Sequence, residues 1–209
     1  MARRSLEIAS SLDSAAEIDE AAMVAARAFY TDPFFIHLAP PALLRARGMA
    51  IYMRTMLRHL GPKGLIMNAR HQGHIVGVGA WVAPDGYPYP ARQQVRQLVG
   101  TAHAFLPRPQ MMPDGMRYMR AIEKVHPKGP LWYLAVLAAD PEFQRSGVGA
   151  ALVEPILERC DTEGIDAYLE TQKEDNLSYY RRFGFEVVDR LRPVSDGPPL
   201  WTMRRTSHG

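Results

Sequence analysis

The chain is predicted to adopt an α/β (α+β) fold, in which helices flank a mixed β-sheet. Residues from Leu131 to Ala139 form a continuous apolar run, too short for an amphipathic helix, which predicts a strand buried on both faces. A glycine-containing turn and a helical pattern follow at once. After residue 131 the predicted order is strand, helix, strand, helix, strand, strand, and this order suits a sheet with helices packed on it.

Composition favours one globular unit. The 209 residues are 47% hydrophobic and 22% charged, which is ordinary for a soluble protein, and we expect a single domain over residues 1-209. The net charge is only +3 and the basic residues are scattered, so nucleic acid is not an expected partner. No stretch approaches the ~20 apolar residues of a membrane span. The N-terminus lacks the apolar centre of a signal peptide, so we expect a cytoplasmic protein that does not bind membranes.

The N-terminal third is predicted to contain one short strand and two helices. Asp32-Pro33 should end the first helix, with Phe34-Phe35 following in a loop. Gly61-Pro62 should stop the second helix. The predicted elements are a strand at Arg4–Ala9, a helix from a cap at Asp13 or Ser14 through Phe29, and a helix at Leu43–Leu60.

A hairpin is predicted next, with strands at Leu65–Ala69 and Ile75–Val82. The link between them contains His71 and His74. No matching acid or cysteine lies nearby, so these histidines indicate a solvated turn rather than a zinc site.

The segment from Pro84 to Pro130 is punctuated by prolines and rich in methionine and tyrosine. Helical patterns occupy Arg92–Phe105 and Gly115–Val125. About 45 residues cannot easily bury an independent core. We therefore expect a helical insertion at about 84-130 within one domain, of the kind that often carries binding residues.

The C-terminal part is predicted to alternate helices and strands. Pro155 should kink the first of these helices, and Gly164 should cap its C-terminus. The predicted bounds are a helix at Gly147–Glu163, a strand at Ile165–Thr171, a helix at Asn176–Phe183, and strands at Phe185–Arg190 and Leu200–Arg204.

The turn from Gln144 to Gly149, QRSGVG, predicts an anion site. The first backbone N–H groups of a helix have no intrahelical partner, the helix dipole adds positive charge there, and glycines allow close approach of a phosphate. A Walker loop would need GxxxxGK[ST], which is absent, and the dinucleotide fingerprint fails at Leu152. Two interpretations stay open, a pyrophosphate cradle of another type and a simple tight turn before a helix. The position of Gln144, three residues before Gly147, favours the cradle.

A second motif runs from Asn176 to Glu186. Asn176 and Tyr180 are four residues apart and share one face of the predicted helix. Tyr179 lies on a different side, and we expect it mainly to pack against the core. Gly184 should end the helix before the next strand.

Together the QRSGVG loop and the N-x-x-x-Y-x-x-x-GF segment closely resemble the GNAT acetyltransferase superfamily. Within it, LWYLAVLAADPEF, AYLETQKEDNLSYYRRFGFEVV and PPLWTMRR are similar to the branch containing puromycin N-acetyltransferase. The resemblance covers most of the chain. It implies a mostly antiparallel sheet of about seven strands in a GNAT-like single domain.

The resemblance also implies that acetyl-CoA enters a V-shaped opening between the strand ending near Ala139 and the strand Ile165–Thr171. Strand backbone would pair with the pantetheine arm, and loop amides would hold the pyrophosphate. Arg145 either meets a phosphate or is a solvated charge. The implied cofactor-binding residues are Leu137, Ala138, Ala139, Gln144, Arg145, Ser146, Gly147, Val148, Gly149, Ala150 and Asn176.

The implied reaction is direct attack of a small-molecule amine on the acetyl thioester, without a metal. Tyr180 matches the tyrosine of the family that lies near the sulfur, and it is the expected general acid. Glu170 is one candidate for the base, since strand alternation points it opposite to Leu169. His126 and water are the alternatives. We further hypothesise that aromatic residues line the acceptor pocket, namely Phe34, Phe35, Tyr87 and Tyr89.

Two functions from different classes remain open. One is an acetyl-CoA-dependent amine N-acetyltransferase. The other is a non-catalytic acyl-CoA-binding sensor that uses the same cradle. Tyr180 favours the enzyme, because a protein that only binds the cofactor has no need of this side chain.

Overall fold

The structure is a computed structural model that describes residues 5–60, 63–105 and 109–208. The predicted stop at Gly61-Pro62 and the predicted strand start at Arg4 lie outside these residues. The helices and strands are β1 (Glu7–Ala9), α1 (Ala15–Ala28), α2 (Pro33–Leu38), α3 (Ala42–Arg58), β2 (Gly64–His71), β3 (His74–Val82), α4 (Ala91–Phe105), α5 (Met112–Val125), β4 (Trp132–Ala139), α6 (Val148–Glu163), β5 (Ala167–Thr171), α7 (Asp175–Arg181), β6 (Glu186–Leu191) and β7 (Leu200–Arg205).

All seven of these strands belong to one sheet, in the order β1-β2-β3-β4-β5-β7-β6. Every neighbouring pair is antiparallel except β4 and β5, which run parallel. The fold prediction, a mixed and mostly antiparallel sheet flanked by helices, is confirmed. The parallel pair lies in the middle of the sheet, where helix α6 provides the crossover connection that parallel strands require.

Helices cover both faces of the sheet. Helix α6 packs on one face with Trp132, Leu134 and Leu169 in a first core cluster. Helices α1 and α3 pack on the other face in a second cluster, which includes Met49 and Met53 of the methionine-rich helix. No helix among the described residues is long and apolar enough to cross a membrane.

Strand β4 differs from its prediction. Instead of being fully buried on both faces, it alternates between buried residues such as Val136 and Ala138 and half-buried residues such as Leu137 and Ala139. Leu137 and Ala139 line a cleft, described below, and this explains why the end of an entirely apolar strand is not entirely enclosed.

The expected loop at Phe34-Phe35 is wrong, because these residues belong to α2. The Asp32 side chain accepts the backbone N–H of Phe34 at 2.9 Å, and Pro33 occupies the first helical turn, so Asp32-Pro33 starts a new helix after ending the previous element. In α1 the cap is Ser14 rather than Asp13, since the Ser14 side chain accepts the N–H of Glu17.

The predicted hairpin is confirmed, with His71 paired to His74 across a two-residue turn at Gln72-Gly73. Both turn residues have positive φ, which matches the twist of a tight hairpin. The helical insertion also forms its two expected helices. Helix α4 packs on α3, whereas α5 contacts α2 through a 3.2 Å approach of His37 to Asp114.

Candidate active site

The centre of the sheet opens between β4 and β5. These strands pair over only three positions, from Trp132↔Ala167 to Leu134↔Leu169. Strand β4 continues to Ala139, and this part pairs with β3 on one side only. The opening expected between the two strands is therefore present, and it leaves a free backbone edge on β4.

A cleft of about 1060 Å³ begins at this opening. Its walls include the end of α1 from one side of the sheet and residues of α6 and α7 from the other, so the cleft passes between the diverging strands. Nine of the eleven residues expected to bind acetyl-CoA line it, namely Leu137, Ala138, Ala139, Gln144, Arg145, Gly147, Gly149, Ala150 and Asn176.

The other two expected residues do not present side chains to the cleft. Val148 is 1% exposed and belongs to the core under α6. The Ser146 hydroxyl donates to the Phe143 carbonyl at 2.5 Å, which ties the loop back on itself. Ser146 and Val148 are expected to bind the pyrophosphate only through their backbone amides. These amides lie at the start of α6, so the placement of the two side chains does not conflict with that expectation.

Gly147 shapes the start of α6. Its φ is +95° and its ψ is −5°, a left-handed conformation that glycine adopts without steric cost. The Ala151 N–H is the donor that reaches back to the Gly147 carbonyl, at 3.0 Å. The amides that precede Ala151 in the first turn are those that a helix leaves without an intrahelical acceptor, and the helix dipole adds positive charge beside them, as the predicted anion site requires.

Tyr179 lies closer to this cradle than its expected packing role implied. It does pack, with ring centroids 5.3 Å from Tyr180 and 5.2 Å from Phe183. It also lines the cleft, and a Cβ added to Gly149 would collide with its hydroxyl. That hydroxyl is buried without a hydrogen-bond partner, and burial raises the pKa of Tyr179 to about 12.

Tyr180 and Asn176 both face the cleft, as the i, i+4 spacing predicted. Asn176 Nδ2 donates to Thr171 Oγ1 at 3.0 Å, which fixes the start of α7 against the end of β5. Tyr180 is only 8% exposed. Burial raises its pKa well above the ordinary value, with smaller contributions from Tyr179 and the charge of Asp32, so the phenol holds its proton at neutral pH.

Asp32 is a cleft residue that the sequence did not reveal as functional, because Asp-Pro was interpreted only as a helix stop. It is 7% exposed and lines the cleft together with Lys173. Burial raises the pKa of Asp32 to about 6, although the Phe34 N–H and the charge of Lys173 both act in the opposite direction. An Asp-Pro pair before an apolar run is a signature of a helix N-terminus, and it would have placed this carboxyl at the N-cap of α2.

The two candidate bases lie next to each other. His126 Nδ1 and Glu170 Oε1 are 3.6 Å apart, and the side chains are 6% and 4% exposed. Glu170 is the residue directly after the last β4–β5 pair, and Leu169 points into the opposite core, as strand alternation predicted. Neither of these two atoms has a hydrogen-bond partner.

Tyrosine rings surround this pair. The His126 ring lies 4.0 Å from Tyr87, 5.0 Å from Tyr133 and 4.9 Å from Tyr168, centroid to centroid. Tyr89 contacts Tyr87 at 5.3 Å. We call these four tyrosines, with His126 and Glu170, the tyrosine cluster.

The four aromatic residues expected at the acceptor pocket are thus divided between two places. Tyr87 and Tyr89 belong to the tyrosine cluster, whereas Phe34 and Phe35 pack together at 5.0 Å. Phe35 is 5% exposed, in the core between α1 and α3. Its placement supports a packing role.

The divided sheet, the glycine-containing loop at the α6 N-terminus and the cleft that joins them are features of the predicted GNAT-type fold. Residues 25–185 match the sequence model of the acetyltransferase (GNAT) family. The chain belongs to this family, whose members use acetyl-CoA. The narrower resemblance to the puromycin N-acetyltransferase branch stays a prediction.

A curated relative, an uncharacterised N-acetyltransferase from Schizosaccharomyces pombe, is 39% identical over 76 residues. The match covers 35% of this chain and 31% of that protein, so the chain spans about a third of the length of this relative.

Solved structures share the fold over nearly the whole chain. A Corynebacterium glutamicum protein described as histone acetyltransferase HPA2 and related acetyltransferase is 22% identical, with a TM-score of 0.68 over 98% of both chains. The ribosomal-protein-S18-alanine N-acetyltransferase of Escherichia coli is 15% identical, with a TM-score of 0.59 over 98% of this chain and 96% of its own. The PaiA N-acetyltransferase of Thermoplasma acidophilum, in complex with coenzyme A, is 15% identical, with a TM-score of 0.57 over 97% and 99%.

Proposed function

We propose that the protein transfers the acetyl group of acetyl-CoA directly to the amine of a small molecule. One observation carries the proposal: a single cleft connects the anion site at the start of α6 to the buried phenol of Tyr180. The first feature suits the pyrophosphate of the co-substrate and the second suits its thioester end.

The binding step follows from the divided sheet. The free edge of β4 near Leu137, Ala138 and Ala139 supplies backbone groups that pair with the amides of the pantetheine arm, as an added strand would. The loop amides from Arg145 to Ala150 supply hydrogen bonds to the pyrophosphate. Holding both ends orients the thioester at the split in the sheet and makes amine attack effectively intramolecular.

The chemical step requires an acid and a base. As the nitrogen attacks the carbonyl carbon, the C–S bond breaks, and the Tyr180 phenol donates its proton to the departing thiolate. Glu170 accepts a proton from the amine, with His126 beside it. A positioned acid of this kind typically contributes roughly 10²–10⁴-fold to the rate.

The decisive experiment measures release of free thiol from acetyl-CoA in the presence of an amine library that includes puromycin. Tyr180→Phe removes only the hydroxyl, so turnover should fall roughly 10²-fold or more because the general acid is lost. Since the ring and its packing are kept, acetyl-CoA binding measured by calorimetry should stay nearly unchanged. Tyr179→Phe is the matched comparison on the same helix. Its hydroxyl lies against Gly149, in the loop that we assign to the pyrophosphate, so turnover should stay near that of the parent.

Three results would contradict this assignment. Equal loss of turnover in both variants, or full activity of Tyr180→Phe, would remove Tyr180 from the acid role. Binding of acetyl-CoA without thiol release for any amine would favour the sensor function instead.

A further inference from the structure

We propose that the outer side of helix α4 is a membrane-binding surface that docks on anionic lipid headgroups. This inference goes beyond the proposed acetyl transfer and does not depend on it. Three observations carry it: the helix turns its apolar side to solvent, its inner side is fixed in that orientation, and its charged side chains are arginines. The expectation of no membrane binding rested on the lack of a span and of a signal peptide, and a helix that lies on a membrane needs neither.

The outer side of α4 is an apolar stripe. Val95, Leu98 and Val99 are 59%, 57% and 60% exposed. Their spacing of three and four residues places them on one side of the helix. Among the described residues eleven large apolar side chains are exposed, and three of them lie in this stripe. Apolar side chains exposed singly are ordinary, whereas a contiguous group of them marks a binding surface.

The inner side of α4 is polar and fixes the orientation of the helix. Gln93 and Gln97 both donate side-chain hydrogen bonds to the His59 carbonyl, at 2.6 and 2.9 Å. His59 is the C-cap of α3, where helix carbonyls lack intrahelical donors. At Gly100 the two helices are so close that an added Cβ would collide with the Thr55 side chain. A roll of α4 that buried the stripe would break these contacts, so the stripe stays outward.

The charge of α4 has one sign. Arg92 and Arg96 are exposed, and the helix contains no aspartate or glutamate. Within the described residues, neither arginine forms an ion pair. These two arginines supply +2 of the net charge of the chain, which is 25 − 22 = +3. An apolar stripe beside unpaired arginines indicates a partner that is apolar and anionic at once.

A membrane that contains anionic lipids meets both requirements. Valine and leucine side chains enter the boundary between headgroups and acyl chains, while the arginines meet lipid phosphates. The 15 residues of α4 extend about 22 Å, so the helix can lie along the interface over its whole length. A second copy of the same face fits less well, because it offers arginines and no carboxylate to the arginines of the first.

The test is co-sedimentation of the full chain with vesicles of pure phosphatidylcholine and with vesicles of equal parts phosphatidylcholine and phosphatidylglycerol. The parent should bind the anionic vesicles about tenfold or more tightly than the neutral ones, and added salt should weaken this preference. Arg96→Gln should weaken binding about fivefold, because one cation near the surface is lost. Leu98→Glu should weaken it about 30-fold or more, because a buried leucine is replaced by a repelled carboxylate.

Val188→Glu is the matched control. Val188 is 61% exposed on the edge strand β6, so this substitution adds the same charge at an equally exposed apolar position outside α4. Its vesicle binding should equal that of the parent. Thermal melts of each variant establish that it is folded.

Four results would overturn the proposal. They are absence of binding to anionic vesicles, equal binding to both vesicle types, equal effects of Leu98→Glu and Val188→Glu, and a parent dimer in sedimentation that Leu98→Glu dissociates while vesicles bind neither form. The last result would assign the stripe to a second copy of the chain. Vesicle binding is measured without acetyl-CoA, so a failure of thiol release in the amine screen would leave this surface unaffected.

Discussion

Replacing Asp32 with asparagine should change the stability of the protein in a pH-dependent way. Asp32 is 7% exposed, and burial raises the pKa of its carboxyl from 3.8 to about 6. Asparagine has nearly the same shape and is an equally good N-cap for α2. The substitution therefore removes the ionisation while keeping the hydrogen bond to the Phe34 amide.

The sign and size of the effect follow from proton linkage. Between pH 3.8 and about 6 the native protein still holds the Asp32 proton that the unfolded chain has lost, so this carboxyl makes the parent less stable as the pH rises. A shift of about two pKa units corresponds to about 3 kcal/mol. Below about pH 4 the two proteins should be equally stable. Above about pH 7 Asp32→Asn should be more stable by up to about 3 kcal/mol, roughly 6–12 °C in Tm for a chain of this size.

The assay is urea unfolding of the parent and the variants from pH 2 to pH 8, with the difference in unfolding free energy plotted against pH. Asp161→Asn is a control of opposite sign, because the Arg205 guanidinium lowers the pKa of Asp161 to about 2. That variant should be less stable than the parent at neutral pH, and the deficit should shrink as the pH falls through the range from 3.8 to about 2. A difference for Asp32→Asn that does not vary with pH, or that falls as the pH rises, would refute the argument.

Two further predictions concern the cradle. Gly149→Ala places a methyl group against the Tyr179 hydroxyl, so acetyl-CoA affinity measured by calorimetry should fall by about tenfold or more, about 1.4 kcal/mol. Adding Tyr179→Phe to this variant should restore part of the affinity. Absence of any recovery would show that the collision with the hydroxyl is not the cause. Arg145 has φ +61°, so Arg145→Gly should be more stable to urea than Arg145→Ala by roughly 1 kcal/mol, the cost of a left-handed residue with a side chain. Equal affinity of the parent and both variants for acetyl-CoA would show that the Arg145 charge is solvated and does not meet a phosphate.

Much of the fold was predictable because its signals are local. The hairpin turn, the α6 start at Gly147 and the common face of Asn176 and Tyr180 depend on residues no more than a few positions apart. Hydrogen bonds and side-chain periodicity act over that range, so the sequence predicts them directly. The loop expected at Phe34-Phe35 failed for a local reason too, because a proline after an aspartate starts helices as readily as it ends them.

The sequence by itself predicted the mixed sheet, the glycine turn that starts α6 and the common face of Asn176 and Tyr180, and through its two motifs it indicated the family. Only the tertiary structure decided how distant groups meet: His126 beside Glu170, Tyr179 over Gly149, and Asp32 buried on the cleft wall. Burial and contact between residues 30 or more positions apart depend on how the sheet splits and how helices of both layers close around it. Since burial shifts a pKa and a missing partner marks a site, the chemistry of these groups became visible only in the folded chain.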